Sequence, residues 1–302
     1  MGLVDGRVTV EVPATSANLG PGYDCLGLAL DLHDRLTAAV TDSGLTVRVG
    51  GEGADQVSRD AGHLVVRAMR EAFAALGEHP PGLSLDCVNA IPHSRGLGSS
   101  SAAIVGGVVL ARALVIGGTE RLDDDDALAL ATRLEGHPDN VAPALLGGLA
   151  ICGCSGGDVW AHRTVVAPGI GAVAFVPPHG LNTGQARGML PDIVPHHEAA
   201  ANTARAALLV AALAGAPEQL WRATEDFLHQ RYRGPAMPES LDLVAALRAD
   251  GVPAVVSGAG PTVLAFAGES AHLPAAEELV ARCPETWRAL SLAVEQRGAR
   301  VR

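Results

Sequence analysis

Aromatic side chains are scarce: Phe, Tyr and Trp together make up 3% of the 302 residues, against 48% hydrophobic residues overall. A core with so few bulky anchors has to be assembled from Ala, Val and Leu, which suits helices laid on sheets. Basic charge is short as well, with 22 Lys and Arg against 33 Asp and Glu and a formal net charge of −11. That balance argues against nucleic acid as a partner, because phosphate-backbone binding needs a broad field of cations. Any anionic ligand must be held locally, by backbone amides at a helix start and by a metal ion. Long apolar runs are missing too. The longest candidate, Ala102 to Gly118, contains glycines and Arg112 and falls short of the roughly 20 residues of a membrane span, so it reads as a buried helix. The five cysteines (Cys25, Cys87, Cys152, Cys154, Cys283) are odd in number and widely spaced, and the opening MGLVDGRVTVEVPATS has no signal-peptide hydrophobic stretch. Reduced thiols in a cytoplasmic protein are expected. Cys152 and Cys154 would share a strand face, but no second Cys or His pair lies near enough to complete a zinc site.

What is there points to mixed α and β structure. RVTVEVPATS alternates like a strand with one wet face, and Thr37 to Val49 repeats the pattern around a Ser43–Gly44 turn. His63 to Leu76 has helical spacing, LSLDCVNAI reads as a strand, and Ser99 to Leu114 as a small-residue helix lying close on a sheet. The acidic run Asp123 to Asp126 opens DDALALATRLEG, where carboxylates cap free N–H groups and face the positive end of the helix dipole. A hairpin-like GDVWAHRTVVAPG precedes the buried strand GAVAFVPP. Helical patterns follow at His197 to Leu213, Pro217 to His229 and Ser240 to Asp250, and then the strand pair PAVVSGAGPTVLAFAG. The length is near the limit of a single core, so two domains are expected, with the boundary near residues 160 to 170.

The segment Pro92 to Ala103, PHSRGLGSSSAA, puts two glycines and three serines where a strand ends and a helix begins. Glycine lets the backbone approach a ligand, the helix start points free N–H groups outward, and hydroxyls add donors or a metal ligand, so polyphosphate fits. No GK[ST] follows and the spacing is not GxGxxG, which excludes the two common nucleotide loops. The string is similar to the PxxxGLGSSAA motif of the superfamily of galactokinase, homoserine kinase, mevalonate kinase and phosphomevalonate kinase, departing by the additional Ser101. The resemblance implies that the loop (Pro92, His93, Ser94, Arg95, Gly96, Leu97, Gly98, Ser99, Ser100 and Ser101) wraps the phosphates of ATP. It also implies that Ser100 and Glu135 hold Mg²⁺, and that His63 contacts adenine.

Pro13 to Asp24, PATSANLGPGYD, resembles the first motif of homoserine kinases, with Tyr23 in place of Phe. An amino-acid substrate presents an ammonium, a carboxylate and a hydroxyl, and each asks for its own partner. Asp24 suits the ammonium, and Asn18 either the ammonium or the hydroxyl. The carboxylate asks for the planar fork of arginine. Arg187 stands in TGQARGMLP, similar to a homoserine kinase segment that begins at Thr183, and Arg233 stands in QRYRGPAMP. GHPDNVA brings Asp139 and Asn140 to the hydroxyl, with either the orienting or the proton-accepting role open, and His137 beside them. The third motif, Ser257 to Thr262, resembles SGSGPT with Ala259 replacing serine, which leaves it a backbone role. As a whole the resemblance implies an α+β fold. Residues 1–165 would form a ribosomal-protein-S5-like ATP-binding domain and residues 166–302 a ferredoxin-like domain, with the site between them. It implies phosphorylation of the side-chain hydroxyl of L-homoserine by ATP, on the route to threonine, with small molecules as partners and homodimers common. The same residues leave open a mevalonate or sugar kinase of the superfamily, or a nucleotide-binding regulator without catalysis.

Overall fold

The computed structural model describes residues 2–302. The chain opens with β1 (Arg7–Asn18) and β2 (Gly22–Thr41), a long antiparallel pair, and then β3 (Gly44–Gly51). Helix α1 (Leu64–Ala75) crosses to β4 (Gly82–Asn89), which enters the sheet between β2 and β3 and runs parallel to β3. A parallel neighbour requires such a crossover. Four helices follow: α2 (Ser99–Ala113), the short α3 (Gly118–Arg121), α4 (Asp124–Glu135) and α5 (Pro138–Leu146). The Asp123 carboxylate caps α4 by accepting the Asp126 N–H at 2.9 Å, and Gly136 ends the helix at φ 98°, as the acidic run and the glycine imply. The hairpin β5 (Leu149–Ser155) and β6 (Asp158–Thr164) completes a seven-stranded sheet through the first half of β2.

Residues 160 to 170 span the end of β6, the link after it and the start of β7 (Ile170–Val176). Beyond β7 come α6 (Thr183–Arg187), α7 (His196–Gly215), α8 (Leu220–Ala223), α9 (Gln230–Arg233) and α10 (Pro238–Ala249). The chain finishes with β8 (Ala254–Val256), β9 (Val263–Gly268), α11 (Ala276–Val280), β10 (Arg288–Ala293) and β11 (Arg300–Val301). Strands β10, β7, β9 and β8 form an antiparallel four-stranded sheet. Period two divides β7 between two cores: Ala172, Ala174 and Val176 join the main core with Leu209 and Leu213 of α7, while Val173 and Phe175 face Val244 and Leu247 of α10. The fold is α+β, and among the described residues no helix is long and apolar enough to cross a membrane. All five cysteines are free; burial pushes the Cys87 thiol up to about 12.

Three elements depart from the sequence expectation. Strand β1 runs through Pro13 into the motif, and from Val10 onward it is buried on both faces. Helices α2 and α5 lie on one side, while the β8–β9 loop reaches its end through Gly258 N–H to Ala17 O at 3.0 Å. Pro217 to His229 is not one helix: after α8 the Asp226 carboxylate accepts the N–H groups of Leu228, His229 and Gln230, offering the backbone an alternative to the helix ladder. The end of the chain leaves the second sheet, because β11 pairs with β1.

Candidate active site

A cavity of about 500 Å³ lies between the two sheets, lined by the loop before α2, the N-terminal motif, the start of α5, α6, Arg233 and the β8–β9 loop. The loop before α2 is pinned from behind. Leu97 O accepts Thr15 N–H at 3.1 Å, and Arg95 O accepts Thr262 N–H at 3.3 Å. Ser257 Oγ lies 2.6 Å from Gly96 O and 2.8 Å from Ser16 Oγ. The Ser257 hydroxyl is a donor shared between the Gly96 carbonyl and the Ser16 hydroxyl. The third motif thus holds the loop through Ser257, with no hydroxyl at Ala259. Gly96 (φ 75°) and Gly98 (φ 72°) are left-handed, and a Cβ would strike the Ser257 carbonyl at the first and the Thr15 hydroxyl at the second. Ala102 N–H makes the first helical bond, to Gly98 O at 2.8 Å, so the amides of Ser99, Ser100 and Ser101 stand free at the positive end of α2.

Not every loop residue faces this space. Pro92 is buried and lines a neighbouring cleft with Trp287 and Arg288. The Arg95 guanidinium borders the cavity but donates to the carbonyls of His93, Pro177 and Pro178 at 2.9, 3.0 and 2.6 Å, fastening the loop to the end of β7. Ser101 is wholly buried. Its Oγ lies 2.7 Å from Glu135 Oε1, the same oxygen that Ser100 Oγ reaches at 2.5 Å. Ser100 and Glu135 both line the cavity and offer only oxygen, the donor set of a hard divalent cation.

The far wall carries charge. Arg187 grips Asp24 with two bonds of 2.8 Å, and that bidentate hydrogen bond raises the Arg187 pKa against burial. Asn18 accepts Asp24 N–H at 3.0 Å and donates to Gly258 O at 2.9 Å. Asn18, Leu19 and Asp24 have φ of 66°, 49° and 56°, strained backbone of the kind that collects at functional sites. Arg233 is only 2% exposed, and burial lowers its pKa. Among the described residues it makes no ion pair; its NH1 donates to Gly258 O at 3.2 Å and His229 Nδ1 at 3.1 Å, while its Nε has no partner. His229 can accept because its Nε2 donates to Gly20 O at 2.8 Å, and burial lowers its pKa, favouring the neutral ring. Tyr23 lies under both guanidinium groups, 5.6 Å from each. The Thr183 side chain lies outside the described residues.

At the start of α5, Asn140 Oδ1 accepts the Thr15 hydroxyl at 2.8 Å, so its amide N–H₂ is the group left for a ligand. Asp139 Oδ1 lies 2.5 Å from His137 Nδ1. Burial works against the charged His137 ring, but the hydrogen bond and charge of Asp139 outweigh it and raise the pKa. At the opposite end stand His63 and His93, both driven toward neutral first by burial; His63 Nδ1 is buried without a partner. Asp34 shares this end, its Oδ1 accepting Ala90 and Ile91 N–H at 2.7 and 2.9 Å, and burial pushes its carboxyl up to about 6. Sequence reasoning passed over Thr15, Asp34, His229 and Ser257 as functional groups. Thr15 and Ser257 stood inside quoted motifs, whereas nothing local marks Asp34 or His229.

Residues 63–148 match the profile described as GHMP kinases N terminal domain, and residues 204–289 that described as GHMP kinases C terminal. The class is therefore that of the GHMP kinases, which act on small molecules with ATP. A homoserine kinase of Streptomyces avermitilis is 55% identical, over 97% of this chain and 95% of its own length, and one of Clavibacter michiganensis is 51% identical over 98% and 94%. The crystal structure of homoserine kinase from Cytophaga hutchinsonii superposes with a TM-score of 0.86 at 25% identity, covering 100% of this chain and 99% of that one. The chain belongs to the homoserine kinase family.

Proposed function

We propose that this protein transfers the terminal phosphate of ATP to the side-chain hydroxyl of L-homoserine, giving O-phospho-L-homoserine and ADP, in the cytoplasm and on the route to threonine. The observation that carries the substrate assignment is Arg233, a buried guanidinium that forms no ion pair among the described residues. An isolated buried charge is costly, and a substrate carboxylate in the cavity supplies the missing partner, with Arg187 as the second fork. Asp24 takes the ammonium. When no substrate separates them, Asp24 and Arg187 compensate each other.

In the reaction the hydroxyl oxygen bonds to the γ-phosphorus as the bond from that phosphorus to the β,γ-bridging oxygen breaks. Asn140 orients the hydroxyl by donating from its amide nitrogen, because its oxygen is held by Thr15, and the hydroxyl proton passes to a phosphate oxygen. Asp139 fixes His137 beside the site. Phosphoryl transfer tolerates this lack of a strong base, since its loose transition state depends on positioning and charge stabilisation. The free amides of Ser99 to Ser101 receive the phosphates, and neutral His63 meets the base. Ser100 and Glu135 would hold Mg²⁺, which neutralises charge on the phosphates.

Mevalonate has a carboxylate but no ammonium for Asp24, and a sugar has neither group. Initial rates with ATP and Mg²⁺ should rank homoserine far above mevalonate and galactose. The analogue 3-aminopropan-1-ol, which lacks the carboxylate, should lose at least about 10³-fold in kcat/KM, as when a buried polar partner is left unpaired. Equal turnover of homoserine and 3-aminopropan-1-ol would remove Arg233 from the account.

A further inference from the structure

The departure of this chain from the GLGSSAA pattern, Ser101, has a defined place. Its Oγ is wholly buried, does not border the cavity, and lies 2.7 Å from Glu135 Oε1. Ser100 Oγ, on the cavity side, lies 2.5 Å from the same oxygen. A carboxylate oxygen can only accept, so both hydroxyls donate to it. Two consequences follow from counting protons and lone pairs. The Ser100 proton is directed at Glu135, which leaves its lone pairs for the cavity, the form in which a hydroxyl ligates a hard cation. Oε1 carries two donors, whereas Oε2 has no hydrogen-bond partner among the described residues. We propose that Ser101 is a positioning residue for a divalent-cation site: it fixes Glu135 from behind, through Oε1, so that Glu135 Oε2 and Ser100 Oγ are presented together to the ion.

The arrangement divides two tasks that a single serine would have to combine. Glu135 is the last residue of α4, directly before Gly136, where a helix end frays readily. Ser100 alone could hold it only while its own hydroxyl stayed in place, and ligation asks that hydroxyl to adjust. Ser101 sits one residue further into α2 with its side chain away from the ligand space, so replacing it leaves the backbone amide in place, and its bond to Oε1 persists whether or not Ser100 moves. Groups that orient metal ligands from behind typically change affinity by about 10–100-fold when removed, and one remaining hydroxyl on Oε1 places Ser101 at the lower end of that range.

The proposal rests on the reading of Ser100 and Glu135 as the cation ligands, and the test separates the two. Mn²⁺ binding to the protein–ADP complex is titrated by the electron paramagnetic resonance signal of the free ion, for the wild type and for Ser101→Ala. ADP binding in the presence of EDTA and the thermal melting point are measured alongside. The expected result is a Mn²⁺ dissociation constant about tenfold higher in Ser101→Ala, with metal-free ADP affinity and melting point unchanged. Equal Mn²⁺ affinity in the two proteins overturns the role of Ser101 alone. A matching loss of metal-free ADP affinity also overturns it, by showing that the serine shapes the loop and not the cation site. Failure of the wild type to bind Mn²⁺ in the ADP complex overturns the ligand assignment itself. If Ser101→Ala melts lower, Ser101→Thr, which keeps the hydroxyl, should bind Mn²⁺ within about twofold of the wild type; a tenfold loss there would count against the proposal.

Discussion

Thr15 is a wholly buried hydroxyl whose one visible task is to face Asn140 Oδ1 at 2.8 Å. Thr15→Val keeps the shape and removes the donor, so the Asn140 amide can rotate and present its oxygen to the substrate hydroxyl. A misplacement of this kind costs up to about 100-fold. We expect kcat to fall roughly ten- to hundredfold, with KM for ATP unchanged and Thr15→Ser near the wild type; steady-state kinetics with each substrate varied in turn is the check. A uniform loss in which Thr15→Ser behaves like Thr15→Val would make the residue merely structural. The residues with distinctive chemistry were legible in the sequence because their motifs name them: Asn18, Asp24, Ser100, Asn140, Arg187 and Arg233 all border the cavity. What each atom does was not. That Arg95 reaches the carbonyls of Pro177 and Pro178, or that Ser101 turns away from the loop toward Glu135, depends on contacts across 34 to 83 residues of chain.

At the level of elements, local signals located helices well where caps are strong, as at Asp123 and Gly136 of α4. They failed where a side chain competes for the backbone, as Asp226 does between α8 and α9. They also could not foresee that the chain end returns to the first sheet. Strand β11 is held to β1 by Glu11, which is paired with Arg35, Arg300 and Arg302. The hydrogen bond from Arg302, with help from Arg35 and Arg300, holds the Glu11 carboxyl down to about 2 against its burial. A carboxyl whose pKa is lower in the folded than in the unfolded chain adds stability above its unfolded pKa and loses it as pH falls toward the folded value. Glu11→Gln should therefore lower Tm at pH 7 by roughly 3 °C. The gap to the wild type should narrow as pH falls from about 5 toward 2, as calorimetric melts would record. A gap that stays constant with pH would mean that packing, not charge, secures the tail.

For the whole molecule, the acidic balance and the anionic ligands are reconciled by geometry. The chain contains no lysine, so its fixed side-chain cations are all arginines. Those at the cavity are engaged by the protein itself: Arg95 by backbone carbonyls, Arg187 by Asp24, and Arg233 by Gly258 O and His229. In the proposed reaction phosphate falls to the backbone amides of Ser99 to Ser101 and to a cation that Ser100 and Glu135 would hold. The two sheets meet at this cavity, joined by the Ser257 and Gly258 contacts to Gly96, Ser16 and Ala17. Composition and strand–helix order were enough to indicate mixed α and β layers. The insertion of β4 between β2 and β3 and the pairing of β11 with β1 are long-range choices with no local signature. The most direct measurement is ³¹P nuclear magnetic resonance of the protein incubated with ATP, Mg²⁺ and L-homoserine. It should show one new phosphomonoester resonance growing in equal amount with ADP, coupled to the methylene protons next to the phosphate oxygen and absent without homoserine. Formation of inorganic phosphate instead, or a phosphomonoester only when mevalonate or a sugar replaces homoserine, would contradict the assignment.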